Sequence, residues 1–375
     1  MSHRAIVRLR AFVILAFLLP VFVKANDSFF SSTGFEKLPR GIPFDLWSYY
    51  IPKDNLITAQ KVELGRQIFF DKRLSADGSV SCATCHDPKL GFTDGKRVAE
   101  GIGGRLGARN SPTLLNSMFN SEQFWDGRAE SLEAQARLPL INPDEMGNQT
   151  HDRVVERLKA LSEYSTSFPQ VFGSPVTIDL VSKAISAYER TLVSGNSALD
   201  RYLAGDLNAL SIPARSGMAL FRGKAHCSVC HTFNQSFPFL TDGNYHNTGV
   251  AVNFRAFDGL SRRAVQIARN QSHVSLDSLA KETGAFELGR FLVTGNSLDI
   301  GAYRTPSLRN VELTAPYFHD GSAATLLDVI EFYVKGGNAN PFRDWQLEPL
   351  SLTDAEQRDL VEFLKSLTSD DVRSR

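Results

Sequence analysis

The sequence predicts a mainly α-helical protein of two tandem domains, and three observations carry that prediction. The run Cys82-Ala83-Thr84-Cys85-His86 recurs as Cys227-Ser228-Val229-Cys230-His231. A glycine-led apolar segment precedes each copy, Gly65-Arg66-Gln67-Ile68-Phe69 in one case and Gly217-Met218-Ala219-Leu220-Phe221 in the other. Near the end of the chain, apolar residues recur at helical spacing: Leu326, Leu327, Ile330 and Tyr333 on one face, then Leu360, Val361, Leu364 and Leu367 on another. An internal repeat of this kind divides a chain into similar units.

A Cys-x-x-Cys-His run is the attachment signature of c-type haem. Both thiols bond the porphyrin vinyl groups, and the adjacent histidine becomes the proximal iron ligand. A redox disulfide or a zinc site also uses paired cysteines, but neither requires the histidine that follows both pairs. The two runs use all four cysteines of the chain. The reading is therefore two covalent haem c groups, on Cys82, Cys85 and His86 and on Cys227, Cys230 and His231. Each domain is then cytochrome c-like. An N-terminal helix offers a glycine for close crossing and an apolar pair for the haem edge, and a C-terminal helix packs on it. Long loops wrap the haem, little sheet is expected, and the haems lie either side of the domain interface.

Residues 1–25 read as a signal peptide. Arg4, Arg8 and Arg10 precede the apolar run 11–23, which is short for a membrane span, and Val23-Lys24-Ala25 offers a cleavage site. No other long apolar run follows, so the mature protein has no expected membrane span and the expected compartment is the bacterial periplasm. The whole chain has 41 basic and 41 acidic residues, and removing the segment takes away four bases and no acid. The acidic balance left behind argues against nucleic acid as a partner. The domain boundary is placed near Ser194-Gly195-Asn196, after a helical stretch from Ile178 to Leu192, giving domains 26–195 and 196–375. Thr325 with Asp328 and Thr353 with Glu356 are capping pairs for the two late helices, and Gly336-Gly337 ends the first of them.

An electron-carrying haem usually has Met or His as its sixth ligand. The methionines are Met1, Met118, Met146 and Met218, so none follows the second haem motif. His246, His273, His319 or a tyrosine remains for that iron. His151, His226 and His273 lack a motif and read as surface residues.

Five further runs, in order, carry a resemblance: Val62-Glu63-Leu64-Gly65, Ala108-Arg109-Asn110-Ser111-Pro112-Thr113, Phe124-Trp125-Asp126-Gly127-Arg128, Arg304-Thr305-Pro306-Ser307-Leu308-Arg309-Asn310 and Ala315-Pro316-Tyr317-Phe318-His319-Asp320-Gly321. The chain resembles the bacterial di-haem cytochrome c peroxidase and MauG family from about Pro43 to Leu367. The resemblance implies an N-terminal peroxidatic haem and a C-terminal electron-transfer haem. It puts Tyr333 where ordinary peroxidases carry a Met ligand to the second iron, as MauG does. It puts Ile102 where many members carry a histidine that caps the first iron, which is then five-coordinate. It assigns Glu145 as the acid and base of peroxide cleavage, Gln135 as its hydrogen-bonding partner, both in an ordered loop, and Trp125 as an indole between the haems. Asn110, Thr314 and Pro316 match an inter-haem Ca2+ site of neutral oxygens. His319 is implied beside the second haem rather than on its iron.

The implied function is a periplasmic peroxidase that reduces hydrogen peroxide with electrons from a cytochrome c or cupredoxin. The first alternative is a MauG-like oxidase that uses a high-valent state of both haems to oxidise aromatic residues of a partner protein. The second is a non-catalytic di-haem electron carrier. A homodimer is compatible with the resemblance.

Overall fold

The computed structural model describes residues 38–270 and 273–373, so the expected signal segment 1–25 lies outside the described residues. The helices that frame the functional region are α1 (Ala59–Phe70), α2 (Leu132–Ile141), α3 (Ile178–Glu189), α4 (Ile212–Arg222), α5 (Phe257–Asn270), α6 (Leu326–Val334) and α7 (Asp354–Lys365). A side-chain cap starts most of them: Thr58 on α1, Ser131 on α2, Thr177 on α3 and Ser211 on α4 each accept a hydrogen bond from a first-turn N–H. The expected Thr325–Asp328 and Thr353–Glu356 pairs form reciprocal capping boxes on α6 and α7. Each such cap satisfies an orphan donor, worth typically about 1 kcal/mol. The sheet is minimal, two antiparallel strands of two residues, β1 (Tyr245–His246) and β2 (Tyr303–Arg304), pairing Tyr245 with Arg304 and His246 with Tyr303.

Two helix crossings anchor the halves, and each is set by a glycine. A Cβ on Gly65 would lie 1.9 Å from the Ala184 carbonyl oxygen, and one on Gly217 would lie 2.0 Å from that of Asp359. So α1 crosses α3, and α4 crosses α7, backbone to backbone. The next residues toward the haem side repeat as well. Phe69 packs on Tyr188 with ring centroids 5.1 Å apart, and Phe221 packs on Phe363 at 5.1 Å. One core gathers Leu64, Ile68, Phe69, Leu140, Leu158, Phe168 and Ile185. A second gathers Phe221, Leu240, Ile330, Leu360, Phe363 and Leu367. These tandem cytochrome c-like halves are joined by long loops and by a third cluster around Phe257, Leu260, Leu288 and Phe291, against which Trp125 packs.

Three details depart from the sequence reading. Leu327 is 39% exposed, because the buried stripe of α6 runs through Leu326 and Ile330. The helix that starts at Ile178 ends at Glu189, although Leu192 beyond it is still buried. Gln135 lies in α2 and not in a loop; Pro139 inside that helix removes the N–H that would bond the Gln135 carbonyl. Glu145 does lie in a turn beyond the helix. Near the expected boundary, Val372 packs into the first core, so the end of the chain returns to the N-terminal half. Among the described residues no helix is long and apolar enough to cross a membrane.

The crossings make a stability prediction. Gly217→Ala forces a methyl group into the Asp359 carbonyl and should lower unfolding free energy by about 1–3 kcal/mol, the usual range for overpacking. Gly259→Ala in α5 meets no atom within 4 Å. It should be neutral or stabilising by about 0.5–1 kcal/mol, the gain of Ala over Gly inside a helix. Denaturant titration of both variants checks this, and equal behaviour would contradict the close-crossing account.

Candidate haem sites

The two attachment runs fold alike. Cys82–Cys85 form one helical turn opened by Ser81, and Cys227–Val229 form a tighter turn. All four thiols are free. Burial pushes Cys82 and Cys227 up to about 12 and Cys85 to about 11. None of these three is poised as a reactive thiolate, which disfavours a redox disulfide. The pairs line separate cavities, so they do not converge on one zinc position.

The proximal histidines are oriented in the same way. Nδ1 of His86 donates to the Phe92 carbonyl at 3.1 Å, and Nδ1 of His231 donates to the Leu240 carbonyl at 2.9 Å. With Nδ1 carrying the proton, each Nε2 keeps its lone pair for iron. Burial lowers both imidazoles, which keeps them neutral and able to ligate. Phe92 and Leu240 are both buried and both left-handed, at φ 60° and 52°. A non-glycine residue in that region costs about 1–2 kcal/mol. Here the cost turns a carbonyl toward the imidazole. Sequence reading missed both residues, since neither Phe nor Leu signals a left-handed turn.

Beside His86 lies a cavity of about 60 Å³ lined by Cys82, Cys85, Gln135, Pro139, Glu145 and Glu189. The expected pair, Gln135 and Glu145, is thus brought to the first haem motif. Burial raises the Glu145 carboxyl, Arg128 opposes the shift, and Asn142 Nδ2 donates to Glu145 Oε1 at 2.8 Å. Ile102 packs against the first core, and its N–H donates to the Glu145 carbonyl at 2.9 Å. Gly101 before it has no room for a Cβ, which would fall 2.1 Å from the Asp144 carbonyl. Glycine at 101 therefore lets the Ile102 loop lie flat against the turn that carries Glu145.

The second cavity, about 310 Å³, is lined by Cys227, Cys230, His231, Tyr333, Leu364, His246, His319 and Trp125, and by Asn110, Thr314 and Pro316. His246 is clamped through both ring nitrogens, Nδ1 to Asp344 at 2.5 Å and Nε2 to Asp242 at 2.9 Å. Asp242, the neighbouring Cys230 thiol and Asp344 raise it to about 11. His319 is stacked on Tyr303 at 3.6 Å and held by Glu287 at 2.8 Å. Both are engaged elsewhere, whereas Tyr333 faces the cavity from α6 with its phenol pushed up by burial and by the nearby Cys230 and Cys227 thiols. Trp125 Nε1 donates to the Asn110 carbonyl at 2.9 Å, which ties the indole to the wall holding Asn110.

Beyond the attachment motifs, the halves share a distal frame that sequence reading did not align. Ser111-Pro112-Thr113-Leu114-Leu115-Asn116 corresponds to Thr305-Pro306-Ser307-Leu308-Arg309-Asn310, with Asn116 and Asn310 both left-handed at φ 62° and 61°. Phe124-Trp125-Asp126-Gly127 corresponds to Phe318-His319-Asp320-Gly321. Each of those turns is closed by a bridge, Gln123 to Ala129 and Tyr317 to Ala323. The capped helices α2 and α6 follow. At the same distance from the cap, Tyr333 on α6 corresponds to Pro139 on α2. Proline has no side-chain donor, so the position that carries a phenol in one half carries no polar group in the other.

Residues 59–208 match the family model for di-haem cytochrome c peroxidase. The methylamine utilization protein MauG of Methylorubrum extorquens is 40% identical over 321 residues, 85% of this chain and 81% of that protein. The chain belongs to the di-haem cytochrome c peroxidase family. The cytochrome-c peroxidase IdrP1 of a Pseudomonas species is 38% identical over 325 residues, 85% of this chain and 83% of that one. A solved MauG-like protein associated with microbial copper homeostasis superposes with a TM-score of 0.72 at 30% identity, covering 95% of this chain and 96% of that one. Membership implies two haem c groups, and the attachment turns, oriented histidines and lined cavities fit them. It makes the protein a peroxidase-type oxidoreductase, not a passive electron carrier.

Pro139 and Ile102 beside the first site, against Tyr333 at the second, predict two unlike irons. Electron paramagnetic resonance of the isolated ferric protein should show one high-spin and one low-spin haem. Two low-spin signals would overturn the open first site.

Proposed function

We propose that this protein is a periplasmic peroxidase that reduces hydrogen peroxide beside His86, in domain 26–195, with electrons relayed through the site at His231 in domain 196–375. The observation that carries this reading is the small cavity in which Gln135 and Glu145 face the first attachment motif, with Pro139 at the position that corresponds to Tyr333 in the other half. When bound, the haems supply the iron that takes peroxide and the path for electrons.

The protein's own residues handle the protons. Breaking the O–O bond needs a base that removes a proton from the inner oxygen and returns it to the outer one, so that the outer oxygen leaves as water. Glu145 suits both steps because burial lifts its carboxyl toward working pH. The Gln135 amide holds the peroxide in line. Trp125, fixed by its bond to the Asn110 carbonyl on the wall of the second cavity, would carry the electron between the sites. Asn110, Thr314 and Pro316 would hold a Ca2+ ion on that wall, because neutral oxygens suit a hard cation that keeps several waters. The donor is a small c-type cytochrome or a cupredoxin.

Tyr333 favours a second reading. A tyrosinate is a hard anionic ligand that stabilises oxidised iron, whereas a thioether raises the potential. The second haem would then be a poor acceptor from an ordinary cytochrome and a good partner in oxidising aromatic residues of another protein. The curated relative of highest identity quoted above is a MauG, which fits this reading, and IdrP1 fits the first.

Two experiments decide. Glu145→Gln should keep both haem spectra while slowing the peroxide reaction by about 10²–10⁴-fold, the usual contribution of a positioned acid or base; a near-wild-type rate removes Glu145 from the reaction. Turnover of reduced cytochrome c separates the two readings. Fast turnover with no lasting spectral change after one equivalent of peroxide supports the peroxidase. Slow turnover with a persistent near-infrared band, lost in Tyr333→His, supports protein oxidation.

A further inference from the structure

Glu189 is the one carboxyl that lines the peroxide cavity without a role in the scheme above. It closes α3 and is 4% exposed, and its Oε2 is sealed from solvent with no hydrogen-bond partner. Leaving a buried polar atom unpaired costs about 1–3 kcal/mol, so such a group needs an explanation. Packing does not provide one, as the other half of the molecule shows. The crossings that align Ala184 with Asp359 and Tyr188 with Phe363 align Glu189 with Leu364. Leu364 lines the second cavity from the same place on α7. The fold is therefore content with an apolar side chain at this position, and the carboxyl occurs only in the half where the open site lies.

Stoichiometry gives the carboxyl a task. Reducing one hydrogen peroxide to two waters consumes two electrons and two protons beyond those the peroxide brings. The shuttle through Glu145 moves a proton that the peroxide already owned, so it supplies neither. The electrons come from the one-electron donor protein, and the protons have to reach a small cavity.

We propose that Glu189 is a second proton donor of the peroxide cavity: its O–H bond breaks as one O–H bond of the second water forms, the carboxylate is reprotonated from solvent, and a second such donation, with the second electron, forms the other O–H bond. This rests on the peroxide-reduction reading. Burial holds Glu189 up to about 8, so it carries a proton at neutral pH. The charged groups around it are few. On its own helix Arg190 lowers it, and on α2 Glu133 raises it. Those two largely cancel, because Arg190 grips Glu133 through two bonds of 2.6 and 2.8 Å. The Cys82 and Cys85 thiols, which become neutral thioethers on haem attachment, the neutral His86 imidazole and Glu145 are the other titratable groups around the cavity.

The test compares holoenzymes carrying Glu189→Gln, Glu189→Leu and Glu145→Gln. In the wild type, steady-state turnover with peroxide and reduced donor should be fast at neutral pH and fall as pH rises through about 8. In Glu189→Gln that limb should vanish and the rate at neutral pH should drop about 10²-fold, the lower end for a positioned acid. Infrared spectra should lose the carbonyl stretch of one protonated carboxylic acid, with haem absorption unchanged. A raised carboxyl also withdraws stability as pH climbs from the ordinary carboxylate range through about 8. Wild-type Tm should fall over that window, and the Tm of both Glu189 variants should not. Glu189→Leu should match or exceed wild-type Tm while staying slow. Wild-type rate and pH profile in Glu189→Gln overturn the proposal. So does a Glu189→Leu protein that is less stable and has altered haem spectra, because the residue would then be structural. If Glu145→Gln instead reacts at the wild-type rate, the cavity reading itself falls.

Discussion

Each half of this molecule depends on one hydrogen bond, from a proximal imidazole Nδ1–H to a backbone carbonyl, because that bond decides which nitrogen faces the iron and at what angle. The carbonyls of Phe92 and Leu240 reach their histidines only from a left-handed backbone. The surrounding core has to hold that conformation against its intrinsic cost. It does so in both halves with the same parts. A glycine brings two helices to backbone contact, an aromatic pair fills the crossing, and the attachment turn sits beside it. Position of the metal ligand is thus a product of helix packing, and not of the five-residue motif alone.

Given one frame used twice, function comes from the few places where the copies differ. Pro139 answers Tyr333, Glu189 answers Leu364, and Trp125 answers His319. Every substitution pushes in one direction. The N-terminal half has a proline at the position of Tyr333 and two carboxyls lifted by burial, which suits binding a small oxidant and moving protons. The C-terminal half has a phenol facing its cavity, an apolar residue on α7, and charges that are tightly paired. Asp242, for example, is held down to about 2 by His246. A site built to pass electrons gains from having no mobile protons nearby.

Much of this was legible in the sequence for a physical reason. Covalent attachment needs cysteines and histidine at fixed spacing, and helix crossing at Gly65 and Gly217 needs glycine, so both leave marks that single residues carry. The capping pairs at Thr325 and Thr353 are local for the same reason. Gln135 and Glu145 are brought to one cavity and Trp125 to the wall of the other by tertiary folding, and only family resemblance pointed to them. The loop expected around Gln135 turned out to be helix, because Pro139 is tolerated near the end of α2. What stayed hidden was the left-handed backbone at Phe92 and Leu240, and the correspondence of the two distal frames, whose matching residues are too few for a visible repeat.

Glu189 shows why such a residue escapes sequence reading and why structure recovers it. In the sequence it is a glutamate beside an arginine near a helix end, the commonest setting for a solvated ion pair. The structure instead gives Arg190 to Glu133 and leaves Glu189 facing inward. Burying an ionised carboxylate without a partner is so unfavourable that the group keeps its proton. The same isolation that makes it costly also makes it useful. A proton held at about 8 can be given up near neutral pH to a nearby oxygen gaining charge, whereas a paired carboxylate has none to give. The internal repeat supplies the control that a single-domain enzyme lacks, since Leu364 shows what the position carries when no proton is needed.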